Sequence, residues 1–394
     1  MAPNGHSGMD FPVKDNAQEY ASVAAEIDVF VHLPYHFGAK NWNKKYKDDT
    51  IPGIIEPYAY GYHRAQEYGC RVTYSEDDKE NSARRLFRLG VRFLLGFDLI
   101  HAWRNRKGIL GADVVWTHTE SQFLAIALIF ALLQPKRKPI LIGQAVWLID
   151  RWAKYTPAHR WLYRKLLPYA EVLSFHSPVN LKIARDWFPE MACELILYGI
   201  NTDDVAPLEK RAVHTPLRLL AMGNDEHRDW PTLIAAVMSV GACELKIASS
   251  KVNLKLFAGT ENVELVTPKS KREVLDLYEW ADLVVVSLKP NLHASGITVL
   301  EEAAVRGVPA ISSDVGGLRA YFSEDAVTYV PAGEPDTLRD AIRHLAADDA
   351  TRWKMVARAR ARMGPEGLSS RSYVRRNVEL SKNLLSHLSR SSRI

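Results

Sequence analysis

The stretch that most restricts the fold of this 394-residue chain is residues 281–317, ADLVVVSLKPNLHASGITVLEEAAVRGVPAISSDVGG. Residues 282–287 are a short β-branched run with no polar break, the pattern of a strand buried on both faces of a parallel sheet. A loop carrying His293, Ala294, Ser295 and Gly296 leads into a helix expected over 297–306. Gly307-Val308-Pro309 stops that helix before a second buried strand at 310–313. The unit is β-loop-α-β, and it commits the chain to a parallel sheet. Ser295, Gly296, Ile297 and Thr298 fall at the helix start, where free N–H groups and the helix dipole favour an anion such as a diphosphate. Glu301 and Glu302, about one turn further in, offer carboxylates to sugar hydroxyls. The plainer alternative is an ordinary β-α-β unit whose glutamates are solvated.

The rest of the chain repeats this rhythm. Residues 27–34 read as the first strand of a doubly wound domain, whose following loop, made basic by Lys40, Lys44, Lys45 and Lys47, is a ligand position; a helix is expected over about 58–68, and further strands at 70–74, 113–116, 140–143, 172–175 and 194–197. A polar linker at 206–215 precedes a restart at 218–223, with strands at 246–249 and 263–266. A final amphipathic helix is expected over 372–386. The expected class is therefore α/β, with two doubly wound domains at 1–207 and 208–394. A chain that is 47% hydrophobic and 25% charged suits two globular domains, each large enough for its own core. Three distant cysteines fit a reducing compartment better than a disulfide framework. The longest apolar run, 123–133, is too short to span a bilayer, and residues 1–18 lack an apolar core and read as a tail.

The segment 281–317 resembles the signature region of GT-B glycosyltransferases, in particular the large retaining group that uses nucleotide-sugar donors. That group carries glutamate, seven residues, glutamate, then Ala-x-x-x-Gly-x-Pro. Counting back from Gly307-Val308-Pro309 puts the second glutamate, which holds the ribose in the family, on Glu302 and the first on Ala294. Counting forward from Gly296 picks Glu301 and His293. In either register the first carboxylate is missing. The resemblance implies two Rossmann-like domains with a cleft between them, the donor in the second. Gly38 then corresponds to the glycine of the first loop. His118, just past a strand, becomes the histidine that contacts the donor sugar, with Glu120 as a base or acceptor ligand. Gly223 ends the strand before NDEHRDW, where Arg228 takes the place of the family lysine as diphosphate clamp and Asn224 that of the family arginine. The loop at Thr267 is where the base would lie, and the last helix would cross back to the first domain. No cofactor is implied, and with no D-x-D triplet no metal is implied.

Residues 81–109 differ in character. Arg84, Arg85, Arg88 and Arg92 recur at helical spacing beside Phe93, Phe97 and several leucines, and Trp103 adds an aromatic among further cations. A second mixture of Trp, Tyr and Arg lies at 147–169. Such segments suit an anionic membrane surface; the plain reading is a domain helix with its apolar face inward. Arginines interleaved with leucine and phenylalanine suit lipid rather than nucleic acid. The expected activity is transfer of a hexose or hexuronic acid from a nucleoside-diphosphate sugar, a UDP-sugar, to a lipid-linked saccharide in bacterial exopolysaccharide or glycolipid synthesis. The expected enzyme is metal-independent and retaining, and it sits peripherally on the cytoplasmic face of the membrane. The alternative is a non-catalytic GT-B subunit or scaffold. A sugar-nucleotide epimerase would need further acid–base carboxylates that the sequence does not offer.

Overall fold

Buried β-branched strands satisfy their backbone groups by pairing with one another, and this chain does so in two separate all-parallel sheets. The computed structural model describes residues 27–205, 207–252, 260–364 and 366–391; the expected tail, 1–18, and residue 206 of the linker lie outside them. The first sheet holds β1 (Ile27–His32), β2 (Cys70–Tyr74), β3 (Val114–Thr117), β4 (Ile140–Ala145), β5 (Val172–Phe175) and β6 (Cys193–Leu195), in the order β2-β1-β3-β4-β5-β6. The second holds β7 (Leu217–Met222), β8 (Cys243–Ala248), β9 (Val263–Val266), β10 (Leu283–Val286), β11 (Ala310–Ser313) and β12 (Thr328–Val330), in the order β12-β11-β10-β7-β8-β9.

Helices α1 (Ala39–Lys47), α2 (Ser82–Leu95), α3 (Leu99–Arg104), α4 (Arg106–Gly111), α5 (Glu120–Leu133), α6 (Pro157–Leu166) and α7 (Pro178–Trp187) belong to the first sheet. With the second go α8 (Trp230–Val237), α9 (Lys271–Trp280), α10 (Ile297–Arg306), α11 (Pro335–Ala347) and α12 (Asp349–Arg362). Helix α13 (Ser370–Ser391) returns to the first domain, where Tyr373, Val374 and Val378 pack with Val31, Trp116 and Ile142. Its Ser381 hydroxyl accepts from Trp116 Nε1 at 2.9 Å. Among the described residues no helix is long and apolar enough to cross a membrane.

Two local expectations change. The basic stretch after β1, read as a loop, contains α1, because one side chain anchors it: Trp42 is buried and donates from Nε1 to Glu56 O at 3.0 Å. The region expected as a helix over 58–68 is a 3₁₀ segment, Ala59–Tyr68, broken by Tyr60 at φ +61° and Gly61 at φ +73°.

The lipid-facing set also needs correction. On α2 the side chains of Leu86, Phe87, Phe93 and Leu94 stand in solvent, Phe93 at 89% exposure, beside exposed Arg84, Arg85 and Arg92. Arg88 is not among them. It turns inward, with Nε 2.9 Å from Glu80 Oε1 and Nη1 2.6 Å from Asp98 Oδ2. Phe97 is fully buried in the core, because α2 ends at Gly96 (φ +80°) and the chain turns under the sheet. Trp103 is half-buried against that core, with the Arg106 guanidinium 5.0 Å over its ring.

Candidate active site

In a doubly wound sheet, neighbouring strands whose connections run in opposite directions leave a crevice beyond their carboxyl ends. In the second sheet that position lies between β7 and β10. The loops that follow these strands are zipped together: Asp229 N–H donates to Ser287 O at 2.9 Å and Lys289 N–H to His227 O at 2.8 Å. Arg228 sits between them at 7% exposure, and neither its Nε nor its Nη1 has a hydrogen-bond partner among the described residues. Gly223, at φ +132°, makes this possible, since any Cβ there would run into the guanidinium. Burial lowers the Arg228 pKa to about 10, with Asp225 and Tyr278 pulling it back, so it remains a cation at neutral pH.

A buried cation without a partner costs several kcal/mol, roughly, unless an anion joins it. The start of α10 faces the same place. A Cβ at Gly296, the residue before α10 (φ +90°), would come within 3.0 Å of Arg228 Nη1. The amides of Gly296, Thr298 and Val299 have no acceptor among the described residues, whereas Ser295 N–H donates to Asn291 Oδ1 at 3.2 Å and Ile297 N–H to Ala294 O at 3.4 Å. One guanidinium and several free amides converge there, an arrangement suited to a phosphate group. Asn224, in the position of the family arginine, is occupied elsewhere: its Oδ1 accepts from Ser249 and from Ser250.

The two glutamates of α10 diverge. Glu302 faces the gap between the domains, where Oε1 accepts from Ile54 N–H at 3.0 Å and Oε2 from the Tyr278 hydroxyl at 2.8 Å. With Thr298, Trp42, Tyr60 and Tyr198 it lines a cavity of about 190 Å³. Glu301 points inward, is 0% exposed and has no partner on either oxygen among the described residues; burial, then the neighbouring Glu302, push its carboxyl well above the usual range.

The corresponding crevice of the first sheet lies between β1 and β3. His118 follows β3 and is enclosed by aromatics: the Tyr60 ring stacks on it at 3.3 Å and 14°, and its Nδ1 is 3.1 Å from the Tyr62 hydroxyl. Burial holds its pKa well below the ordinary histidine value, so the ring is neutral. Glu120 does not reach into the crevice; its Oε2 accepts from Val146 and Trp147 N–H at 3.2 and 3.1 Å and so anchors the loop after β4. Gly38 donates to Asp77 Oδ2 at 3.2 Å, and the close approach it permits is to Asp77 rather than to a ligand. Thr267 is exposed beyond β9, two strands from β7 at the sheet edge. The structure thus unites Gly223, Arg228, Ser295, Gly296, Ile297, Thr298 and Glu302, and leaves Gly38 and Thr267 apart. Tyr60, Tyr198 and His293 belong to the cleft without having been singled out as binding groups. His293 appears in the sequence only as an alternative register of the glutamate motif.

Two parallel six-stranded sheets with facing crevices, and a last helix that crosses back, define the GT-B fold of glycosyltransferases. Residues 249–362, within the second domain, match the family model described as "Glycosyl transferases group 1". No curated protein matches the sequence. Among solved structures, sucrose-phosphate synthase from Thermosynechococcus elongatus superposes with a TM-score of 0.69 at 16% identity, covering 91% of this chain and 100% of that one. HepE from Anabaena, in complex with UDP-glucose, gives 0.64 at 10% identity over 90% and 99%. A glycosyltransferase from Rickettsia africae ESF-5 gives 0.58 at 14% over 91% and 99%.

Proposed function

We propose that this protein transfers a sugar, a hexose or hexuronic acid, from a UDP-sugar to a lipid-linked saccharide at the cytoplasmic face of a bacterial membrane. The observation that carries the donor half is the buried Arg228, without a side-chain partner among the described residues and facing the start of α10. As the glycosidic bond to the diphosphate breaks, negative charge grows on the leaving oxygen, and a preorganised guanidinium with free amides stabilises it without reorganising. That role needs no metal. Glu302 takes the ribose hydroxyls by exchanging its bond from Ile54, and His118, a neutral imidazole, donates to the transferred sugar. Retention at the anomeric carbon is what the family resemblance implies.

The acceptor half rests on the face of α2. Its exposed Phe93 and Leu94 adjoin α6, through His159 Nε2 at 3.0 Å from Leu94 O and the Tyr163 hydroxyl at 3.1 Å from Leu95 O, and α6 adds exposed Trp161. Apolar side chains inserted shallowly, with arginines meeting anionic headgroups at about 1 kcal/mol each, give reversible attachment. The non-catalytic alternative is favoured by one observation: both oxygens of Glu302 and the Nδ1 of His118 are already engaged by protein groups. A thermal-stabilisation screen of nucleotide sugars separates the two readings. A rise in melting temperature with one UDP-sugar, abolished in Arg228→Ala, supports the enzyme; no rise with any nucleotide sugar or with UDP supports the scaffold.

A further inference from the structure

The loop between β10 and α10 is held from both domains at once. His293 is buried, with Nε2 hydrogen-bonded to Asp225 Oδ2 at 3.0 Å in its own domain and Nδ1 at ion-pair distance, 3.2 Å, from Asp150 Oδ1 in the other, without hydrogen-bond alignment. Asp150 Oδ1 also accepts Leu292 N–H at 2.8 Å. Asp225 Oδ2 accepts the Ser295 hydroxyl at 2.8 Å, and its Oδ1 accepts His227 N–H at 2.8 Å. The Trp147 ring lies 4.1 Å from the His293 ring and bears the Arg151 guanidinium at 4.4 Å. Arg151 and Lys154 are 3.5 and 3.9 Å from Glu226. These are the charged groups around His293: two carboxylates in contact, His227 and Arg228 in the loop after β7, and an outer Arg151–Glu226–Lys154 cluster. Set between the two carboxylates, and against the opposing effect of burial, His293 has its pKa raised to about 9.

We propose that Asp150 is a positioning residue of the donor site in the opposite domain: through His293 and Asp225 it fixes Ser295 and the start of α10, so the anion pocket is complete only when the domains are closed. This rests on the donor reading above. Diphosphate binding and domain closure then favour each other, as two events linked through one element must. The linkage has a pH signature. Because the folded value for His293 is raised, the contact is fully present below the ordinary 6.5 and is lost as pH rises through about 9.

The test uses the full chain with Asp150→Asn, which keeps an acceptor for Leu292 but removes the charge, and with His293→Gln. UDP affinity is measured by calorimetry from pH 6.5 to 10, and closure by small-angle scattering with and without UDP. Expected are an approximately tenfold weaker UDP affinity in Asp150→Asn, a UDP-induced contraction that is lost, and a wild-type loss of affinity that sets in near pH 9, ahead of the loss in His293→Gln, where Arg228 at about 10 still titrates. Wild-type protein that binds UDP with Asp150→Asn binding equally well at every pH overturns the proposal while leaving the donor reading intact. Wild-type protein that binds no nucleotide overturns the donor reading and this proposal with it. Donor atoms of Asp225, His227 and His293 all lie within 4.8 Å of one another. A zinc titration that stabilises the wild type but not His293→Gln, with UDP affinity lost on chelation, would make the cluster a metal site and also overturn it.

Discussion

The two crevices of this molecule are built on the same plan and furnished in opposite ways. Between β7 and β10 the polar groups are left over: among the described residues the guanidinium has no partner and the helix amides no acceptors, and glycines at 223 and 296 keep side chains out. Between β1 and β3 the crevice is filled by the protein itself, with His118 under Tyr60 and against Tyr62, and His32 stacked on His101 at 5.0 Å. A site that must receive a highly charged group common to many donors can be generic. A site for a particular acceptor is shaped by side chains peculiar to one protein. The family model covers residues 249–362 of the second domain and none of the first, as that contrast would lead one to expect.

The strongest way to break the contrast is Arg228→Ala set against His118→Ala. Loss of a charge-assisted contact of roughly 1.5–3 kcal/mol should weaken UDP binding about ten- to a hundredfold in the first. The second should abolish transfer and leave UDP affinity unchanged, as titration calorimetry can show. Equal losses in the two variants would mean that the crevices are not separate functional units.

Next in size is Glu301. An inward carboxyl with no partner stays protonated in the folded chain while the unfolded chain ionises near the ordinary 4.5, so the unfolded state binds fewer protons and stability falls as pH rises above that value. Glu301→Met should raise stability at pH 7.5 by about 1–3 kcal/mol and flatten the dependence on pH, measured by urea unfolding between pH 5 and 8. A variant less stable than wild type at pH 7.5 would show that the carboxyl has a partner in solution and that the second domain is less sparing of its polar groups than described.

A smaller effect is expected at Tyr62, whose hydroxyl meets His118 Nδ1 at 3.1 Å and the Tyr373 hydroxyl at 2.7 Å. Tyr62→Phe should cost about 1 kcal/mol and raise the His118 titration midpoint, followed by NMR. An unmoved midpoint would leave burial alone as the cause of the neutral ring. Smallest in stability is the face of α2: Phe93→Glu with Leu94→Glu should change unfolding free energy by no more than about 0.5 kcal/mol, since both side chains are exposed. The same pair should abolish flotation with anionic liposomes at low salt. Flotation that survives would remove lipid from the first domain's side of the comparison.

What the sequence makes legible follows the same division. Helix α10 keeps the bounds expected for it, because buried strands and a Gly-x-Pro stop are local signals. Arg228 is singled out only through the family resemblance, aligned from the helix that follows. The first domain resists such reading. Arg88 has the same helical spacing as its neighbours and differs only in meeting Glu80 and Asp98 across the fold. Tyr60 lies in a stretch that reads as helix until packing on His118 sets it in the left-handed region, an arrangement local propensity disfavours. Asp150, Asp225 and His293 meet only because two domains close, and nothing in their spacing announces it.

Helix α13 has a consequence for how the molecule is made. Trp116 and Ser381 are 265 residues apart, and the face of the first sheet that carries Val31 and Trp116 is covered by Tyr373, Val374 and Val378. During synthesis that face leaves the ribosome early and its cover leaves late, after the strands of the second sheet have emerged. The nascent first domain therefore waits with an apolar sheet face open while its neighbour folds, and it is finished only when α13 swings back. Throughout that interval it is a client for chaperones.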